Sequence, residues 1–351
     1  MRPMLLPALR QLWRDKKTLQ LGVDPARAVV LDNVNADTLA VLALLDGRHT
    51  MAEVTARAEA AGVPSPRVSD LLGKLARCGA VVDGEPTAGL PPRLPVAARR
   101  RLAPDLAALS LTVGVEAGAV LARRWRRALV VQAQGRIAPA LAALLAASGV
   151  GRVHIEADGL VDPADACPGG LLQSDEHRPY AVAATDAVRR AAPEVDTRPL
   201  GPNRQPDLVI LASGRRPPPA GALGRAIRGA PHLPVGLRDG TAVIGPLIVP
   251  GRTACLDCIE LHRLDRDPVW PAIAAQLSTA RSAQPDPSQL AIAATAASLA
   301  AAHVLCFLDG GEPESLGRSL ELTGLGERVR RRSWPLHPRC DCTGSPLRPS
   351  A

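Results

Sequence analysis

Aromatic side chains are scarce in this chain: one Tyr, one Phe and four Trp among 351 residues. Ala, Leu and Val must therefore fill the core. The scarcity does not signal disorder. Hydrophobic residues make up 46% of the chain, and its length allows two domains with proper cores. No secretory signal is expected, because Met1-Arg-Pro-Met-Leu-Leu-Pro7 has no apolar core behind it. Long apolar runs are limited to residues 290–308. That run is uncharged but mostly Ala, with His303 inside it, and reads as a buried core helix rather than a membrane span. Cysteine is sparse and odd in number, seven in all. Four of the seven fall in tight pairs, which suits a reducing compartment better than a disulfide framework. The expectation is a cytoplasmic protein with no membrane partner.

Basic residues outnumber acidic ones, 42 against 34, for a formal charge of +8. Nucleic acid or an acidic peptide would suit that balance. The Arg residues are spread along the chain, however, with one short cluster at Arg123, Arg124, Arg126 and Arg127. A solvated face explains such a spread, and a nucleic-acid partner is disfavoured.

The paired cysteines carry the most specific signal. Cys255-Leu-Asp-Cys258 and Cys340-Asp-Cys342 can each place two thiolates on one ion. Together they complete a tetrahedral Cys₄ shell, the usual structural zinc arrangement, with no position left open for a substrate. Such a clamp would tie the C-terminal part of the chain to a segment far upstream. His262 and His337 are competing ligands, and disulfides are the alternative for the whole set. Cys306 reads as core, Cys78 as a helix end, and Cys167 as a loop residue without a partnering base nearby. Trp270 and Trp334 flank the two pairs and are expected to pack beside the clamp.

Residues 18–32 read as a β-hairpin turning at Asp24-Pro25. Three helices follow, the first capped by Asn35, the second by Thr50, the third opened by Ser65-Pro66. Val68, Leu71, Leu72 and Leu75 share a face of the third helix, and Val81–Gly84 reads as a strand and turn. This order makes a small winged-helix-like unit over residues 1–90. Its third helix offers Arg67, Lys74 and Arg77 but no Asn or Gln to read base edges. Residues 85–105 are rich in Pro and Arg and read as a linker, set at 91–104.

Further on, a strand at 127–132, a helix from Ile137 to Ala147 and a strand at 152–155 make a βαβ start, with Glu156 at the end of its second strand. A helix near 179–192, strands at 207–211 and 233–237, and a further pair around 241–249 extend an α/β sheet.

Over residues 105–345 the chain resembles the ThiF/MoeB superfamily, the bacterial relatives of ubiquitin-activating enzymes. The resemblance rests on 130–158, His177-Arg-Pro-Tyr-Ala-Val-Ala-Ala184, Pro246–Cys258, the Ala-rich helix ending in Asp309-Gly-Gly311, and His337-Pro-Arg-Cys-Asp-Cys342. That ending is similar to ThiF-like proteins of azole- and azoline-forming peptide pathways. In those proteins a PqqD-like recognition element is fused at the N-terminus, and Leu44-Leu-Asp-Gly47 before a Thr-capped helix resembles it. The resemblance implies a Rossmann-type α/β domain with a Cys₄ zinc clamp, followed by a tail at 346–351. It implies recognition of a ribosomal precursor peptide, a separate YcaO-type cyclodehydratase as partner, and a homodimer. In the family the peptide adds a strand to the hairpin edge and rests on the third helix. That assigns Leu19, Leu21, Val23, Val68, Leu72 and Leu75 as the peptide surface.

The same resemblance exposes gaps. An adenylating member cradles ATP on a Gly-rich first turn. Here the turn reads Gln132-Ala-Gln-Gly-Arg-Ile137, with Gly135 alone remaining. Tyr180 stands where a phosphate-contacting basic residue belongs, and 212–216 contains no acid for Mg²⁺. Gly135, Arg136 and Glu156 are what is left of a nucleotide site, with Arg136 a candidate substitute contact. The expectation is a retained fold without adenylation. An active ATP-dependent adenylyltransferase and a winged-helix DNA-binding regulator are the rival readings.

Overall fold

A computed structural model describes residues 1–84, 90–212, 229–279, 287–324 and 329–344. The chain divides into two compact units, Met1–Ala122 and Arg123–Ala351.

Among the described residues, the first unit contains two small sheets, four helices and the start of a fifth. Strand β1 (Pro3–Leu5) pairs antiparallel with β5 (Val81–Asp83). Strands β2 (Gln11–Trp13), β3 (Leu19–Leu21) and β4 (Val29–Leu31) form an antiparallel meander in that order. Helices α1 (Ala36–Ala43), α2 (Met51–Ala60) and α3 (Ser65–Arg77) lie where the capping pattern puts them. The Asn35 side chain accepts the Thr38 N–H at 3.0 Å, and Thr50 with Glu53 forms a reciprocal capping box. Each cap contributes about 1 kcal/mol. Val54 and Ala58 of α2 and Val68, Leu72 and Leu75 of α3 point into one core, spaced for a single helical face.

Two expectations change here. The hairpin 18–32 is real, but β3 is the central strand, because β2 covers its other side. The stretch read as a linker is largely helical: α4 spans Val96–Val113. Ala98, Leu102, Leu106 and Ser110, four residues apart, are its buried stripe. Pro104 sits on the exposed side, where losing one N–H bond is tolerated. The unit boundary accordingly falls within α5 (Ala117–Arg126), beyond the residues expected to divide the domains.

The second unit is a seven-stranded sheet of order β12-β11-β10-β9-β8-β6-β7. Strands β6 (Ala128–Ala133), β7 (Arg152–Glu156), β8 (Leu208–Ala212) and β9 (His232–Arg238) are parallel. Then β10 (Thr241–Ile244), β11 (Arg318–Leu322) and β12 (Arg330–Ser333) continue antiparallel. Residues alternate between the two faces. Leu129, Val131, Leu208 and Ile210 join the cluster containing α6 (Ile137–Ala147), α7 (Tyr180–Ala191) and α10 (Leu290–Leu308). Val130, Val209 and Leu211 join the cluster on the other face, with α8 (Leu256–Arg266) and the paired cysteines. The short α9 (Trp270–Thr279) follows α8.

Helix α10 is long and apolar enough to cross a membrane by length and composition. One of its faces is buried in the larger cluster, as expected of a core helix, with His303 bonded to Ser315 at 2.9 Å. Gly151 marks a close approach: a Cβ there would lie 1.7 Å from the Trp125 carbonyl oxygen.

Candidate functional site

Cys255 occupies the N-cap position of α8 and Cys258 follows one turn later, so both thiols face the same side. The second pair arrives from the segment after β12. Sulfur separations are 3.9 Å for Cys255–Cys258, 3.6 Å for Cys255–Cys340 and 3.4 Å for Cys258–Cys342. All four sulfurs lie within 4.8 Å of one another. A disulfide needs about 2.05 Å, and all seven cysteines are free thiols. A tetrahedral ion with bonds of about 2.3 Å sets its sulfurs about 3.8 Å apart. The spacing therefore fits a metal centre.

Neither histidine competes for it. The Nε2 of His337 meets Asp265 at 2.7 Å, and its Nδ1 accepts the Arg339 N–H at 3.2 Å. The Nε2 of His262 faces the Pro335 carbonyl at 3.0 Å. His337 instead donates its backbone N–H to the Cys258 sulfur at 3.4 Å, orienting a ligand from the second layer. Burial pushes the Cys342 thiol up to about 11 and Cys255 higher still. Burial also acts on Cys258, but bonds from His337 and Cys342 hold it below its ordinary value. A divalent cation would relieve this by binding all four as thiolates. Trp334 is buried against the cysteines, as expected. Trp270 lies a little outside, bonded to Glu260 at 2.8 Å.

At the carboxyl end of β6, where this architecture places its ligands, the first turn is filled from within. Gly135 holds a positive φ of 67°. The buried Tyr180 hydroxyl donates to its carbonyl oxygen. Arg136 turns back to the Ala164 carbonyl, its Nε at 2.9 Å. Ile137, buried, occupies the start of α6, and a Cβ on Gly170 would lie 2.8 Å from the Ala140 nitrogen. Glu156 is exposed and accepts the Gln132 amide at 3.1 Å. The residues present do not fit a phosphate cradle: the polar groups serve one another and a bulky side chain stands where a small one is needed. Residues 213–216, read as lacking a Mg²⁺ ligand, lie outside the described residues. Cys167 is buried and its thiol raised by burial, which suits core packing rather than nucleophilic attack.

The peptide surface needs correction. Leu19, Leu21, Val68, Leu72 and Leu75 are core side chains, each at most 2% exposed; only Val23 is open to solvent. The apolar spacing that selected them marks the buried face, and β3 has partners on both edges. Among the described residues, the strand edges left unpaired in the meander belong to β2 and β4. Val29 and Leu31 of β4 and Leu71 of α3 are half-buried at the margin of one core. Sequence reasoning missed β4 as the edge because β2, three residues long and wholly exposed, shows no strand pattern.

This architecture is the ThiF-like Rossmann-type fold. Solved structures that share it include Escherichia coli MccB with ATP, with a TM-score of 0.66, 17% identity, and coverage of 98% of this chain and all of that one. Another is the microcin C7 biosynthetic enzyme MccB in complex with N-formylated MccA, with a TM-score of 0.67, 16% identity and the same coverage. A heterocyclase in complex with substrate and cofactor also matches, with a TM-score of 0.56 and 16% identity. There the match covers 95% of this chain but 38% of the other. No protein-family pattern matches the chain. No curated protein matches it in sequence.

Proposed function

We propose that the chain recognises a ribosomal precursor peptide and presents it to a separate YcaO-type cyclodehydratase, without adenylating it. The observation that carries this reading is the filled first turn, with Tyr180 on Gly135 and Arg136 on Ala164. Adenylyl transfer depends on groups aimed at developing phosphate charge, and here those positions are occupied by internal bonds.

The first unit is the PqqD-like, winged-helix-like recognition element. Its β4 edge, flanked by the half-buried Leu71, takes the peptide as an added strand. Full-length similarity to MccB solved with MccA supports a peptide ligand. Similarity to a larger heterocyclase supports a partner that supplies the ring-forming chemistry. Zinc is the ion for the cysteine cluster, held by Cys255, Cys258, Cys340 and Cys342; it supplies structural clamping and no reaction step. A homodimer in the cytoplasm completes the reading.

The rival is an active adenylyltransferase, favoured by the similarity to MccB solved with ATP. Calorimetry on the full chain separates the two. Titration with a leader segment of a precursor peptide, MccA being the first tried because it is the peptide solved with MccB, gives binding without ATP, and titration with MgATP gives none. Binding of MgATP would favour the rival, and no binding of the peptide would remove the recognition reading.

A further inference from the structure

Strand β12 closes one end of the large sheet, and among the described residues nothing pairs with its outer edge. Its sequence is Arg330-Arg-Arg-Ser333, exposed throughout. Beside it stands a concentration of cations packed around one indole ring. The guanidinium carbons of Arg263, Arg266 and Arg332 lie 5.9, 5.7 and 5.4 Å from the centre of the Trp334 ring. Each distance is within cation–π range.

The acids nearby are already engaged. Glu260 pairs with Arg263 at 2.9 Å, and Glu321 with Arg238 at 3.0 Å. Arg331 meets Glu314 at 2.9 Å on the opposite face of the strand. Arg266 and Arg332 have no carboxylate partner among the described residues. Burial lowers Arg263 from its ordinary value, and repulsion from Arg238, Arg266 and Arg332 adds to the shift. An added anion would relieve that repulsion.

We propose that the β12 edge, with the guanidinium groups around Trp334, binds an extended acidic segment of another polypeptide as an added strand. The edge supplies main-chain hydrogen bonds, and alternate acidic side chains meet Arg330 and Arg332, two residues apart on one face. Three successive arginines repel a second copy of the same edge, which makes the site selective for an acidic strand. Nucleic acid would use the charge but not the strand edge. This surface lies within the second unit and stands apart from the β4 reading.

The test is fluorescence anisotropy on the full chain. The probe is a short fluorescein-labelled peptide alternating Glu and Thr, compared with its Gln–Thr counterpart, its fully N-methylated form and a single-stranded oligonucleotide. The expected result is binding of the Glu–Thr peptide alone, weakened roughly tenfold in Arg266→Gln/Arg332→Gln at unchanged far-ultraviolet circular dichroism. Should that variant misfold, Arg330→Glu, on the exposed strand, carries the same expectation. Equal binding of the Gln–Thr or N-methylated peptide, equal affinity in the folded variant, or preference for the oligonucleotide would overturn the proposal.

Discussion

The Tyr180 hydroxyl donates to the carbonyl of Gly135, 45 residues away, inside the turn that in a nucleotide-binding sheet faces phosphate. Tyr180 is 3% exposed, and burial pushes its hydroxyl well above the ordinary value, so it remains a neutral donor. Tyr180→Phe leaves that carbonyl without its partner. Urea unfolding should show a loss of about 1–2 kcal/mol. MgATP binding should not appear in the variant, because Ile137 and Arg136 still fill the turn.

The cysteine centre should hold one equivalent of zinc by elemental analysis of the purified chain. Cys258→Ser should reduce that content and lower the thermal midpoint, since a structural site contributes its binding energy to folding. Ser in place of Cys78, an exposed cysteine at the end of α3, should change neither.

Asp196 carries the clearest pH dependence. Arg198 first, then Arg152 at 2.5 Å, hold its carboxyl well below the usual carboxylate range. A lowered pKa stabilises the fold above the unfolded value and loses that contribution as pH falls below about 4. Asp196→Asn should therefore cost about 1 kcal/mol at pH 7. The difference between variant and parent should shrink towards zero in acid, as read by denaturant midpoints.

Gly151 tolerates no side chain, because the Trp125 backbone occupies the space. Gly151→Ala must push β7 away from the end of α5 and should destabilise the second unit by about 3 kcal/mol. Gly159→Ala, with open space around it but a positive φ of 85°, should cost about 1 kcal/mol.

Much of the fold could be read from the chain. The caps Asn35 and Thr50, the helices 137–147 and 290–308 and the four cysteines follow from local rules that the tertiary structure respects. Other elements left no such trace. Strand β1 is buried at every position and β2 exposed at every position, so neither shows the alternation that marks a strand. Strand β12 is all Arg and Ser, so nothing in its polarity suggests pairing. Helix α4 hid behind prolines whose damage falls on its exposed side and at its N-cap. The peptide surface failed for a related reason. Periodicity finds the face a segment buries, whereas a binding edge is defined by what remains unpaired, which only the strand order reveals.

That edge gives its own prediction. Leu71→Glu on α3 should weaken binding of the precursor peptide roughly tenfold, as one lost apolar anchor does. Trp13→Ala, on the opposite edge strand β2, should leave it unchanged. Equal effects of the two substitutions would point away from β4.

The most direct measurement is pyrophosphate exchange into ATP by the full chain, with Mg²⁺ and the bound precursor peptide present. The account predicts peptide binding with no exchange above background. Exchange that depends on the peptide would contradict it and establish the chain as an adenylating enzyme.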